Sequence, residues 1–179
     1  GFTLIETLVA IFIFVIIMGA ALNSVLSSFS GQRYRLASQK VADEISLLTE
    51  SLARALREAQ RDGGVTCLST DSSYEEISSP GPGIKFLDSE FRCRQIALDL
   101  SDKRIYGQIG RASWNVLSSE NISIEALEFH LRGQAGGAAD NTQPRVTVFI
   151  EAVAKNFSGG DPPRVKMQTT ISQRNLDTP

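Results

Sequence analysis

Residues 1–22 read GFTLIETLVAIFIFVIIMGAAL, and the architecture turns on how that stretch is understood. Residues 7–32 carry no charge. With Leu4 and Ile5 added, the uncharged run to Phe29 exceeds the ~20 residues an α-helix needs to cross a bilayer. Residues 8–22 are apolar on all faces of a 3.6-residue period, as a lipid-facing or bundle-buried helix requires. Glu6 is out of place, an acid at the mouth of this run. Carrying a carboxylate to the centre of a span costs about 2.5–3.5 kcal/mol on insertion scales, so such a residue is normally paired and functional. The nearest cation that could meet it is an amino group at the start of a chain, one helical turn away. The pattern implies a protein cut just before this helix and assembled through its new N-terminus. A glutamate in the first turn also suits the helix macrodipole and headgroup water, so the residue alone does not decide.

The helical pattern continues beyond the apolar run but changes character. Val41, Ile45, Leu48, Leu52 and Leu56 recur at spacings of 4, 3, 4 and 4, one stripe of an amphipathic helix. Lys40, Asp43, Glu44, Glu50, Arg54, Arg57 and Glu58 occupy most other directions, so the stripe needs a cover. The first proline is Pro80, and Gly63-Gly64 offers a C-cap. The expected helix runs over 2–62 and is roughly 90 Å long. Gly19 and the Asn23-Ser24 pair are its weakest helix formers and mark where it could bend. Gly19 equally permits close helix contact.

Residues 63–83 are rich in Gly, Ser and Pro and read as a long loop with a short strand over 65–68. Short strands follow at 84–87 and 93–100, with a turn at 101–103 and a returning hairpin strand at 104–109. A short segment over 114–117 is next. The alternation of 122–131 changes phase near Glu125-Ala126, which suggests a bulge. Two more alternating strands cover 146–153 and 165–172. A helix followed by a run of strands argues for an α+β fold with an antiparallel β-sheet, whose apolar face covers the helix stripe.

Composition limits the function classes. In 179 residues, 42% are hydrophobic and 21% charged, as in an ordinary folded protein, and the net charge is −2. Nothing in that balance favours nucleic acid, and Trp114, Tyr34, Tyr74 and Tyr106 form no stripe that would stack bases. His130, the one histidine, alternates with Phe129 and Leu131 and so falls on a polar strand face with Glu128 and Arg132. Zinc and Cys-His chemistry therefore lack their usual parts. There is no phosphate-binding loop or dinucleotide fingerprint. We expect no enzyme activity, no cofactor and no metal. Glu75 and Glu76 face different ways and read as solvated. Cys67 and Cys93 can bridge if the head lies outside the cytoplasm. The bridge would close a loop of about 26 residues at roughly 3.5 kcal/mol by chain entropy. Two free buried thiols are the alternative.

Gly1-Phe2-Thr3-Leu4-Ile5-Glu6 before an apolar helix resembles the processing site of the type IV pilin and pseudopilin superfamily. The resemblance implies cleavage between Gly1 and Phe2 by a membrane prepilin peptidase, N-methylation of Phe2, and a short basic leader upstream. It also implies that the Glu6 carboxylate meets the Phe2 amino group of a neighbouring subunit, with Thr3 as an uncharged supporting residue. The expected fold is pilin-like: residues 1–30 as processing site and transmembrane assembly helix, 31–62 as amphipathic continuation, and 63–179 as the β-sheet head. Partners are other pilin or pseudopilin subunits, an inner-membrane assembly platform, the peptidase and membrane lipid. The protein is expected to cross the bacterial inner membrane once, with its head on the extracytoplasmic side. Family members partly melt the Gly19 region on assembly.

The closing segments PRVTVFIEAVAK and VKMQTTISQRN are similar to the last strands of minor pseudopilins of type II secretion systems. A minor pilin of a type IV pilus or a DNA-uptake filament is the near alternative. Some relatives bind calcium in a late loop, but Asp140, Asn141, Asn156 and Asp161 are too sparse for an oxygen cage. A different class is a secreted or anchored binding domain, with 1–22 as a truncated signal peptide and Met18-Gly19-Ala20-Ala21 near its cleavage site. Glu6 argues against it, as does the unbroken helical pattern beyond Ala21.

Overall fold

An α-helix of 54 residues, α1 (Leu4–Arg57), opens the chain. The computed structural model describes residues 1, 3–63, 66–133 and 142–174. From Leu4 to Lys40 no helix residue is buried. Beyond that point Val41, Ile45, Leu48, Leu52 and Leu56 are all buried, joined by Thr49. Each such aliphatic side chain contributes about 1.5–3 kcal/mol when fully buried. In the isolated chain the helix passes through Gly19, Asn23 and Ser24 without a break.

The helix ends earlier than its local sequence suggests. It stops at Arg57 with Glu58 as C-cap, not at 62. Its last carbonyls are taken by groups from far along the chain. Tyr74 Oη donates to Leu56 O at 2.7 Å, and Arg174 N donates to Arg57 O at 2.9 Å. Gln173 Nε2 then donates to Ala59 O at 2.7 Å, and Gln60 N leaves the helical path to donate to Leu87 O at 2.8 Å. Orphan carbonyls at a helix end need such partners.

Among the described residues ten strands follow: β1 (Asp62–Gly63), β2 (Asp71–Ser72), β3 (Tyr74–Ile77), β4 (Gly83–Leu87), β5 (Cys93–Asp99), β6 (Arg104–Ile109), β7 (Asn115–Val116), β8 (Ile122–Arg132), β9 (Arg145–Ala154) and β10 (Arg164–Ser172). All pairings are antiparallel. They form not one sheet but two, ordered β3-β4-β5-β6-β7 and β10-β9-β8, with a separate β1–β2 ribbon. The break falls after β7. Leu117 N still reaches Ile105 O, but β8 meets the β5–β6 turn only through Ile124 N to Lys103 O at 2.9 Å and then pairs with β9. Both sheets close over the helix stripe. Ile45, Leu52 and Leu56 share one core with Phe86, Leu98 and Ile105 from one sheet and Leu127 and Ile150 from the other.

The phase change in β8 is a real register shift between Ile124 and Ala126. The β5–β6 hairpin also forms as expected, with Lys103 in the left-handed region of its turn. The stretch 63–83 departs from expectation. It carries β2 and β3 where a loop is expected, and Thr66–Leu68 is no strand. The N–H groups of Thr66, Cys67 and Leu68 converge on the buried Asp62 carboxylate, at 3.2 Å and 2.7 Å for the outer two, so they cannot serve a ladder. Val65 lies outside the described residues. Gly83 opens β4 where a Cβ would stand 2.4 Å from Ile96 O, so the close β4–β5 approach requires glycine.

Candidate functional site

Thr3 sets the geometry of the first turn. Its backbone is extended, and its Oγ1 accepts from Glu6 N at 3.4 Å while its carbonyl accepts the same N–H at 3.1 Å. Thr3 is thus an N-cap, and Thr3-Leu4-Ile5-Glu6 has the T-x-x-E spacing of a capping box. The reciprocal bond, from Thr3 N–H back to the glutamate, is not made. Among the described residues the Glu6 carboxylate is exposed and has no partner. A box with one half open leaves an acid at the positive end of a helix, oriented but available. The capping role of Thr3 was not foreseen, although the spacing that signals it stands in the sequence.

Gly1 is exposed, and Phe2 lies outside the described residues. The expected Glu6 contact with a Phe2 amino group therefore has one side on view. Behind it α1 is long and apolar enough to cross a membrane, and none of that apolar stretch is buried against the head. An apolar surface of this size left open on a folded chain marks a membrane or helix-packing face.

Residues 1–22 match a family model described as the prokaryotic N-terminal methylation motif. The match indicates a type IV pilin-like family. Comparison with the curated proteins and with the solved structures gave no match. The motif implies processing by prepilin peptidase and assembly with other pilin subunits. The exposed apolar helix fits a membrane-anchored single-pass chain. The pilin-type family is structural and generally non-enzymatic.

The pilin-like head places the other expected residues as follows. Cys67 and Cys93 form a disulfide across 26 residues, with Cα atoms 5.2 Å apart. It sits in a small cluster with Leu68 and Leu87, and ties the loop after β1 to the start of β5. His130 is exposed, 3.7 Å from Glu128. Glu75 is not simply solvated. It accepts from Ser69 N at 2.9 Å and Ser69 Oγ at 2.8 Å, which pins the loop before β2. Burial pushes its pKa up, but the two Ser69 bonds and the Lys85 charge together leave it lowered. Asp140 and Asn141 lie outside the described residues, and no group of three candidate metal ligands occurs among the described ones.

Two acids of the head had no prior claim. Asp62 gathers the disulfide loop, as above. Asp88 accepts from Glu90 N at 2.9 Å, Arg92 N at 2.8 Å, and the Nε atoms of Arg92 and Arg94 at 3.0 Å. Burial pushes the Asp88 carboxyl up, yet these donors together hold it below the usual value. Both acids work as turn organisers, a use that depends on neighbours the linear sequence does not rank.

Proposed function

We propose that this chain is a minor pseudopilin of a type II secretion system. Prepilin peptidase would cut between Gly1 and Phe2, and the new Phe2 amino group would be methylated. Residues 1–30 would then serve as the membrane and assembly segment. Residues 31–62 would lead into the head, the helix itself ending at Arg57, and 63–179 would form the surface presented beyond it. The chain would sit in the bacterial inner membrane with its head on the extracytoplasmic side, until an assembly platform draws it into a filament.

One observation supports the pilin-type assembly in this reading: a carboxylate without a partner among the described residues, next to the Thr3 cap, at the start of an unburied apolar helix inside a methylation motif. In an apolar filament core, such a charge attracts the amino group of a neighbour strongly. Leaving either charge buried alone costs about 3–5 kcal/mol. The same pairing would set the axial register at which a subunit joins. We expect Glu6→Ala to insert and be processed normally but to enter filaments poorly. Normal incorporation of that variant, measured by crosslinking to neighbouring subunits, would remove the role assigned to Glu6. Deleting the gene separates the systems: loss of protein secretion supports the type II assignment, whereas loss of pili or of DNA uptake moves the chain to the alternative filaments.

A further inference from the structure

Where α1 leaves its apolar run, the loop after β9 comes back to meet it. Lys155 N donates to Asn121 O at 2.8 Å, and Asn156 turns the chain with a φ of 62°. The Phe157 ring then lies edge-on to Tyr34 of α1, with ring centroids 6.0 Å apart. Gly159 makes room for that ring, since a Cβ there would stand 2.7 Å from it. The loop is thereby shaped around an aromatic pair beside the expected bilayer surface.

Two clefts adjoin at this point and share Asn156 and Phe157. The larger, of about 640 Å³, is lined on the helix side by Leu26, Phe29 and Leu36, with Arg33 among them. The smaller, of about 140 Å³, has Lys40 and Lys155 in its wall. No carboxylate lines either cleft. Arg33, Lys40 and Lys155 are exposed, and none has a carboxylate partner among the described residues. Asp161 lies further along the loop and lines neither cleft, and Glu44 is engaged by Asn121 Nδ2 at 3.3 Å. Between Thr7 and Asp43 the charges of the chain are Arg33, Arg35 and Lys40, all positive.

We propose that this junction is a seat for an anionic phospholipid of the leaflet from which the head emerges. The inference rests on the membrane-anchored reading above and adds a partner chemistry to it. Apolar walls at Leu26 and Phe29 continue the membrane-spanning face and accept acyl chain. Arg33 stands four residues beyond Phe29, about 6 Å along the axis, within the ~5–7 Å depth of a headgroup layer. Lys40 stands seven residues beyond Arg33, about 10 Å further along the axis. With Lys155 in the same cleft wall it attracts the headgroup from the outer side at about one screening length, and Tyr34 and Phe157 sit at the level where aromatic rings anchor to an interface. Filling this seat would fix how the head tilts on the bilayer before assembly.

The test uses the full chain with a nitroxide on Ser158→Cys, the native cysteines remaining bridged. It is reconstituted in vesicles of phosphatidylcholine alone or with 30 mol% phosphatidylglycerol. Flotation reports the membrane span, and collision with a water-soluble relaxant reports whether the loop is seated. We expect equal flotation but a loop protected only in the anionic vesicles, with each of Arg33→Gln, Lys40→Gln and Lys155→Gln weakening that preference about fivefold. Equal loop exposure in both vesicles, with flotation intact, overturns the lipid seat and points to a protein occupant, leaving the span in place. Failure to float in either vesicle removes both readings.

Discussion

The two halves of α1 share one unbroken backbone and differ in what surrounds them. Up to Lys40 no side chain is buried, whereas from Val41 to Leu56 a full stripe is. Residues 8–22 of the first half are apolar all round, as a helix solvated by lipid or other helices requires, since neither has a polar side to match. The second half is apolar on one stripe because a protein core covers one direction and water the rest. A helix can therefore be made to serve two solvents by changing its pattern and not its conformation.

The comparison breaks most visibly at Ile45, which is fully buried. Ile45→Ala should destabilise the head by about 2–5 kcal/mol, whereas Phe12→Ala should leave head unfolding within about 0.5 kcal/mol of the parent. Denaturant unfolding in detergent, followed by Trp114 fluorescence, reads both. Equal effects would mean that the two halves are not differently covered. Next, the Cys67–Cys93 bridge should hold the head alone. Replacing both cysteines with serine should cost up to roughly 3.5 kcal/mol of head stability with no change in membrane insertion. Thiol labelling of both cysteines in non-reduced protein would show that the bridge is not formed. In the opposite direction, Ile13→Arg should cost about 2.5–3.5 kcal/mol of insertion and leave the melting of the head unchanged.

A smaller effect comes from a single acid of the head. The Asp88 carboxyl is held below its ordinary value in the folded state. Its contribution is thus fully present above the unfolded pKa of about 3.9 and is lost as pH falls through the lower folded value. Head stability should decline below about pH 4, and Asp88→Asn should flatten that part of the decline. An unchanged acid limb in the variant would assign it to other carboxylates.

How much of this was legible depended on the range of the interaction. The stripe from Val41 to Leu56 and the bulge at Glu125-Ala126 are written in local periodicity, and both formed where that periodicity placed them. The end of α1 is not local. Ala59 is buried and sits three residues beyond Leu56, so the pattern itself continues. What stops the helix is the supply of donors from Tyr74, Gln173 and Arg174. The division into two sheets was hidden for a similar reason, since strand periodicity says which face is apolar but not which neighbour a strand chooses. Asp62 was passed over and Glu75 read as solvated because their partners, backbone N–H groups and the Ser69 hydroxyl, leave no mark in the sequence. At the N-terminus the motif carried the reading from the start, and the structure added the Thr3 cap and the open carboxylate of Glu6.

On the proposed function, the first half of α1 becomes an assembly helix through a newly made N-terminus. The mass and N-terminal sequence of the protein recovered from membranes test it most directly. The expected product is a chain that begins at Phe2 and carries one N-methyl group. A chain beginning near Asn23, or one still joined to its leader through Gly1, would contradict it and favour a secreted or anchored binding domain.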